Sequence, residues 1–235
     1  MRINKFIAES GVASRREADR MVTEGRVKIN GKPVTQPGTD VDVYNDAVYV
    51  DGVRIDPVRR DIYIMLNKPK GCITSVKDDK GRKTVMDYVD CGKRIFPVGR
   101  LDYDSEGLVL MTNDGDLAYN LTASKNDVPK TYIAKAEGEV KEEHLKKLRS
   151  GILLDGVMTK PAKARLLAFE NGVSRVEITI TEGRNRQVRR MFESLGFNVI
   201  FLKRVEIAGI RLGGLARGAW RYLSPKEIKK LKELF

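Results

Sequence analysis

Two short, continuously apolar runs place the tightest constraint on what this chain can fold into. They cover residues 62–66 and 107–112, and each is followed by turn-forming residues, Lys68-Pro69-Lys70-Gly71 and Asn113-Asp114-Gly115. Apolar runs of this length between turn signals are typical of buried strands. We therefore expect both runs to be strands in the interior of a sheet.

The chain after residue 60 mixes strand and helix patterns without strict alternation. Further strand patterns cover residues 131–136, 162–168, 173–181 and 199–203. Helical patterns cover residues 141–149 and 185–195, and a C-terminal helix is expected to begin at Ser224, with Pro225 in its first position. His144 lies on what reads as a solvated helical face. Elements mixed in this way predict an α+β domain with a mixed, mainly antiparallel central sheet.

Residues 1–59 have the pattern of a separate small module. Ile3, Phe6 and Ile7 have helical spacing, and Ser14 and Glu17 have the spacing of a capping box at the start of a second helix that ends near Gly25. A strand at residues 26–29 and the hairpin turn Asn30-Gly31 follow, and the β pattern continues through Val34, Val41 and Val43. Residues 57–61 read as a linker, so we predict domains at 1–59 and 60–235.

Composition limits the partners and the chemistry. The 235 residues carry 44 Lys and Arg against 32 Asp and Glu, a net charge of +12 that favours a nucleic-acid partner. One histidine and two cysteines give neither a zinc cluster nor the histidine base that a serine or cysteine nucleophile usually needs. No apolar run is long enough to span a membrane and no signal peptide is visible, so we expect a cytoplasmic protein.

Basic residues are concentrated in the first module. A helix and a hairpin with this charge could follow a phosphate backbone, although a solvated surface is the alternative. The residues expected to contact RNA here are Arg2, Lys5, Arg15, Arg16, Arg20 and Lys28.

Three stretches of this module carry a resemblance to the S4 RNA-binding domain. They are Arg2-Ile3-Asn4-Lys5-Phe6-Ile7-Ala8, Ser14-Arg15-Arg16-Glu17-Ala18-Asp19 and Gly25-Arg26-Val27-Lys28-Ile29-Asn30-Gly31-Lys32. The resemblance implies a small α/β domain that binds RNA, but it does not imply a reaction.

The segment 99–107 crowds three carboxylates, Asp102, Asp104 and Glu106, between two glycines. A catalytic loop mounted on a sheet is one interpretation, and an acidic surface loop paired with Arg100 is another. The spacing also resembles the first half of a calcium-binding loop. That motif needs a glutamate at its twelfth position, where this chain has Asn113.

A second cluster, residues 182–191, contains four arginines. If it is helical, Val188, Met191 and Phe192 form an apolar face. Arg186, Arg189 and Arg190 then project to the flank and the opposite side. Either a solvated basic face or a site for phosphates and carboxylates would explain them. The residues concerned are Arg184, Arg186, Arg189 and Arg190.

Taken in order, these motifs resemble the RsuA/RluB family of ribosomal RNA pseudouridine synthases over nearly the whole chain. The carriers are Leu66-Asn67-Lys68-Pro69-Lys70-Gly71, Gly99-Arg100-Leu101-Asp102, residues 107–115, Lys130-Thr131-Tyr132, residues 182–191 and the tail from Leu202-Lys203-Arg204 to Leu223.

The resemblance implies a function and a site. Asp102 matches the family's catalytic aspartate, Tyr132 the tyrosine that stacks on the target base, and Arg189 the basic residue that pairs with the catalytic carboxylate. Arg100 would contact RNA beside a flipped nucleotide, with Arg184, Arg186 and Arg190 as further contacts. Isomerisation of uridine to pseudouridine needs neither a cofactor nor a metal. The motifs look most like the RluB type acting on large-subunit (23S) rRNA, and we expect the protein to be a monomer.

Two alternatives stay open from the sequence. One is an RsuA-type enzyme that modifies small-subunit (16S) rRNA. The other is a non-catalytic ribosome assembly factor built on the S4 domain, which would bind RNA without changing uridine.

Overall fold

The computed structural model describes residues 1–57 and 61–235, which divide into two compact units. One unit comprises Met1–Ile62 together with Gly92–Arg94, and the other comprises Tyr63–Cys91 and Ile95–Phe235. The predicted boundary between residues 59 and 60 lies outside the described residues.

The described part of the first unit contains two helices and a four-stranded sheet of order β2-β1-β3-β4. Ile3, Phe6 and Ile7 are fully buried in the core of this unit, as the helical spacing predicted. The Asn30-Gly31 hairpin is confirmed, and both residues have the positive φ that such a turn requires. The elements are α1 (Ile3–Glu9), α2 (Arg15–Thr23), β1 (Val27–Ile29), β2 (Lys32–Val34), β3 (Val48–Val50) and β4 (Val53–Ile55).

Two details of the first module were predicted wrongly. Val41 and Val43 lie outside the strands; Val41 instead packs into the core, while Val43 is exposed. Ser14 accepts a hydrogen bond from the Glu17 amide, as a capping box requires, but the Glu17 carboxylate pairs with Arg20 instead of returning to the Ser14 amide. A neighbouring guanidinium one turn along the helix is the competing partner.

The second unit is built on a nine-stranded sheet, and the α+β prediction is confirmed. Its main path is β11-β12-β8-β13-β7-β5-β15, with β14 on β13 and β6 on β7, while β9 and β10 form a separate hairpin. Most pairs are antiparallel, but β7 and β13 are parallel. The strands are β5 (Tyr63–Lys68), β6 (Phe96–Pro97), β7 (Glu106–Thr112), β8 (Lys130–Glu137), β9 (Leu153–Leu154), β10 (Val157–Met158), β11 (Lys163–Glu170), β12 (Val173–Ile180), β13 (Val199–Ile207), β14 (Ile210–Arg211) and β15 (Trp220–Tyr222).

Four helices accompany this sheet in the described part of the unit, and three of them were predicted. They are α3 (Gly115–Thr122), α4 (Glu142–Ser150), α5 (Gln187–Glu193) and α6 (Pro225–Lys232), with short 3-10 turns at Val85–Tyr88 and Ser124–Asn126. The unpredicted helix α3 begins where Asn113-Asp114-Gly115 signalled only a turn, because the Asp114 carboxylate accepts a hydrogen bond from the Leu117 amide. His144 is not simply solvated: its ring lies edge-on to Phe197, with centroids 4.8 Å apart.

The two apolar runs form β5 and β7, which pair with each other inside the sheet, between β13 and β15. All residues of both strands are buried. Across the described ranges, none of the helices combines the length and the apolar character needed to traverse a bilayer.

Gly107 is the point of closest approach between β7 and β13. Its φ is +110°, and a Cβ added there would lie 2.2 Å from the carbonyl oxygen of Arg204 and 2.8 Å from its backbone nitrogen. These are backbone atoms that cannot move aside without breaking the parallel pairing of β7 with β13. Glycine is therefore required where the apolar run begins.

We predict that Gly107→Ala lowers the free energy of unfolding by about 3 kcal/mol or more, through strain and backbone clash. Chemical denaturation monitored by circular dichroism measures the change. Gly115→Ala is the matched control, because a Cβ there meets nothing within 4 Å and the expected change is within about 1 kcal/mol. Equal stabilities for the two variants would contradict this account of Gly107.

Candidate active site

A cavity of about 620 Å³ opens beside the segment between β6 and β7 in the second unit. This volume lies within the usual range of small-molecule and cofactor sites. Its walls come from the segments 73–75, 98–103 and 180–188, and from Arg82, Leu121, Thr122, Ser124, Lys130, Tyr132, Leu202, Arg204 and Ile207.

The sheet explains why one wall of the cavity carries Lys130, Tyr132 and Arg204. Residues two apart on a strand point to the same face, so Lys130 and Tyr132 share a face of β8. Arg204 of β13 is the cross-strand partner of Tyr132. The strand register therefore brings a lysine, a tyrosine and an arginine to one surface.

The buried side chain of Lys68 binds the backbone of the loop that carries Asp102. The Lys68 side chain is fully buried at the end of β5, and its ammonium donates to the carbonyl oxygens of Pro69 (3.1 Å), Asp102 (3.0 Å) and Ser105 (2.8 Å). Burial lowers the pKa of Lys68, while the nearby Cys72, Asp102 and Asp104 oppose that shift. Three acceptors match the three donors of an ammonium, which is how this cation is accommodated in the core.

Further hydrogen bonds fix the two flanks of Asp102. The Thr74 hydroxyl donates to the Leu101 carbonyl oxygen (2.7 Å) and lies 3.1 Å from the Leu101 amide, and the Gly71 amide donates to the Tyr103 carbonyl oxygen (2.9 Å). The backbone on both sides of Asp102 is thus anchored to the segment that follows β5. Hydrogen bonds to the backbone of this loop are enough to hold Asp102 in position, and a contact to the Asp102 side chain is not needed.

Asp102 itself is half-buried and faces the cavity. Within residues 1–57 and 61–235, no side chain forms an ion pair or a hydrogen bond with its carboxylate. The other two carboxylates of the segment differ, because Asp104 pairs with Arg186 and Arg189 and the buried Glu106 pairs with Arg217 at 3.1 Å. Asp102 therefore faces the cavity with its oxygens available.

Asp104 receives two guanidinium groups. Arg186 donates to both of its oxygens (3.0 and 3.1 Å), and Nε of Arg189 lies 3.3 Å from Oδ2. Burial raises the pKa of Asp104, but the hydrogen bond from Arg186 and the charges of Arg189 and Arg186 outweigh it, so the pKa lies below its usual range.

The ion pair predicted between Arg189 and Asp102 is therefore wrong: Arg189 pairs with Asp104. The expectation that Arg189 projects to the flank of α5 is wrong as well, because its side chain is only 6% exposed. The guanidinium also donates to the carbonyl oxygens of Val199 (2.5 Å) and Asp104 (3.1 Å), and these contacts offset its burial. Arg189 is not part of the cavity wall.

Tyr132 is buried in the cavity wall against Arg204. Nη1 of Arg204 lies 3.4 Å from the Tyr132 hydroxyl, and its guanidinium carbon lies 5.9 Å from the ring centroid. Arg204 is buried too and donates to the Leu108 carbonyl oxygen (2.8 Å). The Arg204 guanidinium thus contacts both the ring and the hydroxyl of Tyr132, and Tyr132 lines the same cavity as Asp102.

Only some of the other arginines predicted to contact RNA in this unit line the cavity. Arg100, Arg184 and Arg186 line the cavity, and Arg100 and Arg186 are exposed. Arg190 does not line it and pairs with Asp155 at 2.5 Å. The sequence cluster 182–191 therefore contributes only part of its charge to the site.

The basic residues predicted in the first module lie on that unit. Arg2 contacts Gly38 and Asp40, Lys5 pairs with Glu9, and Arg20 pairs with Glu17. Arg15, Arg16 and Lys28 are exposed, and no ion pair to them exists among the described residues.

Neither alternative interpretation of the acidic segment fits this arrangement. Asp104 and Glu106 bind arginines, and in the described part of the chain no three side chains of His, Cys, Asp or Glu are grouped as metal ligands would be. Arg100, the partner proposed for an acidic surface loop, makes no ion pair with the segment in the same ranges.

Three residues of the site were not singled out from the sequence. Lys68, Lys130 and Arg204 all lie in motifs that carried the family resemblance. The alternation of Lys130 and Tyr132 could have placed both on one face. Nothing local in the sequence indicates that Lys68 and Arg204 are buried, because most of their hydrogen-bond partners, such as the carbonyl oxygens of Ser105 and Leu108, lie far along the chain.

Comparison with known proteins identifies the family. A family model described as RNA pseudouridylate synthase matches residues 62–194, and an S4 domain model matches residues 1–44. A crystal structure of a pseudouridylate synthase superposes with a TM-score of 0.71 and 35% identity, covering 98% of this chain and 99% of the other. The chain thus has the architecture of an RNA-modifying enzyme joined to an S4 domain.

Relatives that match along almost the whole chain agree. The ribosomal large subunit pseudouridine synthase B of Bacillus subtilis is 48% identical, with 99% of this chain and 96% of the relative covered. The dual-specificity RNA pseudouridine synthase RluF of Escherichia coli is 37% identical, with 100% and 79% covered. This chain belongs to the RNA pseudouridine synthase family, and the resemblances drawn from its motifs are confirmed.

We predict that Lys68→Met lowers the free energy of unfolding by about 2–4 kcal/mol, because three buried carbonyl oxygens lose a charged donor. Urea denaturation measures the change. Lys70→Met, two residues along and exposed, is the matched control and should change stability by less than about 0.5 kcal/mol. Lys68→Met with the stability of wild type would show that the ammonium does not hold the loop.

Proposed function

We propose that this protein isomerises a specific uridine of large-subunit rRNA to pseudouridine, with Asp102 as the catalytic carboxylate. The observation that carries the proposal is the contrast between carboxylates. The Asp102 carboxylate faces the cavity and has no partner among the residues that the structure describes, whereas Asp104 and Glu106 bind arginines. The name of the Bacillus subtilis relative supports the choice of large-subunit rRNA.

The target base must leave its stack to reach the cavity, at a cost of a few kcal/mol. Tyr132 would offset part of this cost, since stacking of a base on an aromatic ring contributes about 1–3 kcal/mol. Arg204 would keep the ring in place through its contact with the hydroxyl. The exposed Arg100 and Arg186 at the cavity would hold the phosphates of the extruded nucleotide.

The proposed reaction rearranges one nucleotide. The N1–C1′ bond breaks, the uracil turns, C5 bonds to C1′, the proton of C5 is released and N1 gains a proton. The overall reaction involves no oxidation and no net hydrolysis, so it calls for neither a redox cofactor nor a metal. Asp102 would contact the reacting nucleotide directly, and Arg189 would act as a positioning residue through Asp104.

The first unit would supply further affinity for the RNA. Arg15, Arg16 and Lys28 are exposed and form no ion pair within residues 1–57 and 61–235, so they can neutralise phosphates directly. Because the lining residues of the cavity all belong to the second unit, we propose that the protein acts as a monomer. Ribosomal RNA as substrate would place this activity in the cytoplasm.

Release of tritium from rRNA labelled at C5 of uridine tests the proposal, since C5 loses its hydrogen when it bonds to C1′. We predict release by the wild-type protein from 23S rRNA, and a rate lower by about 10³-fold or more for Asp102→Asn. Asp116→Asn is the matched control, because this exposed aspartate on α3 lies outside the cavity and should leave the rate unchanged.

Other outcomes separate the alternatives. Release from 16S rRNA alone would favour a small-subunit enzyme. Binding of rRNA without any release by the wild type would favour a non-catalytic assembly factor. Wild-type release by Asp102→Asn would show that the catalytic carboxylate has been misassigned.

A further inference from the structure

Lys130 is a cationic residue of the cavity that the reaction described above does not use. It lies two residues before Tyr132 on the same face of β8, so the two Cα atoms are roughly 7 Å apart. Its cross-strand partners are Ile180 of β12 and Ile207 of β13, and both line the cavity. An ammonium is thus set between two isoleucines beside the proposed stacking platform.

The contacts of Lys130 within the protein leave part of its hydrogen-bonding capacity unused. Nζ donates to the Val128 carbonyl oxygen at 2.9 Å, and among the described residues no carboxylate forms an ion pair with it. Asp127, in the preceding turn, is paired with Lys160. An ammonium has three donors, so two stay available toward the cavity.

The surroundings of Lys130 hold little compensating negative charge. Burial and then the charge of Arg204 lower the pKa of Lys130 to about 8, against a smaller opposing effect of Asp127. The charged and titratable groups nearest to it are Arg204 on β13, Tyr132 on β8, Asp127 in the preceding turn and Glu182 after β12. The other such groups in the cavity wall are Arg82, Arg100, Asp102, Tyr103, Arg184 and Arg186. Glu182 is engaged by the side chains of Gln187 and Arg184.

Negative charge develops on the uracil during the proposed reaction, and an ammonium beside the uracil would stabilise it. When the N1–C1′ bond breaks, its electron pair passes to the uracil. Conjugation spreads the charge from N1 onto the carbonyl oxygens O2 and O4. A partly desolvated donor placed in advance at a developing oxyanion is an effective source of catalysis.

We propose that Lys130 is a further catalytic residue, whose ammonium donates a hydrogen bond to a carbonyl oxygen of the uracil as the N1–C1′ bond breaks. This inference rests on the proposed function. The ammonium keeps its proton throughout; the charge it stabilises is removed when C5 bonds to C1′ and N1 is protonated.

A contact to phosphate is the competing role for Lys130, and the structure favours the base. Arg100 and Arg186 line the cavity and are exposed, as groups that meet a phosphate backbone usually are. Lys130 is instead half-buried and neighbours the ring on which the base would stack. The two roles differ in what they change, because a phosphate contact contributes to binding and an oxyanion contact to the rate.

Single-turnover formation of pseudouridine in 23S rRNA, measured from pH 6.5 to 9, tests the proposal. We expect Lys130→Met to lower the rate constant at pH 7 by about 10–100-fold, with the RNA dissociation constant within about twofold of wild type. The wild-type rate should fall above about pH 8 as the ammonium loses its proton. Lys130→Met should lack this fall, and Lys130→Arg should restore much of the rate and move the fall to higher pH.

Lys135→Met is the matched control. Lys135 lies on the same strand, is exposed, points to the other face and does not line the cavity, so rate and pH profile should match wild type. A variant Lys130→Met with the wild-type rate would overturn the proposal. So would an unchanged rate constant with weaker binding and a salt slope reduced by about one, because that pattern marks a phosphate contact. A wild-type protein that forms no pseudouridine would refute the proposed function instead.

Discussion

The buried ammonium of Lys68 is the interaction on which the geometry of the site depends. It lies at the end of β5, where the chain leaves the sheet, and it binds the backbone of the segment that leads into β7. A lysine in the core is costly unless all its donors are used, and here three carbonyl oxygens use them. The charge is compensated only when the loop that carries Asp102 adopts the conformation in which these oxygens accept hydrogen bonds from the ammonium.

Two carboxylates two residues apart have different surroundings in that loop. Asp104 attracts Arg186 and Arg189, which links the loop to α5 and, through the Val199 carbonyl oxygen, to β13. Asp102 takes no part in these contacts and faces the cavity. The arginines therefore stabilise the loop without occupying the carboxylate that we propose to be catalytic. Tyr132 and Lys130 lie on β8, which pairs with β13, so the sheet rather than a loop determines their positions.

Much of the fold could be predicted because its signals are local. The apolar runs of β5 and β7, the Asn30-Gly31 hairpin and the capping residue Ser224 are each read from a few neighbouring residues. The cavity residues Asp102, Tyr132 and Arg100 came from motifs of the family, not from spacing. Local signals failed for α3, since the same Asp114-Gly115 pair can end a strand and begin a helix.

What escaped prediction depends on long-range contacts. The burial of Lys68, Arg189 and Arg204 is made possible by carbonyl oxygens and carboxylates that are distant in sequence. A helical pattern places Arg189 beside other arginines on a solvated flank, and only the approach of Asp104 explains its burial. For the same reason, sequence alone could not tell which of the two aspartates the arginine binds.

A comparison of Asp104→Asn with Asp102→Asn tests the division between these carboxylates most directly, using thermal unfolding together with single-turnover pseudouridine formation. Asp104→Asn should lower Tm, because the buried Arg189 loses its anionic partner, and should still form product at a rate reduced by about tenfold. Asp102→Asn should keep the Tm of wild type and form no detectable product. A stable, inactive Asp104→Asn beside an active Asp102→Asn would contradict the account.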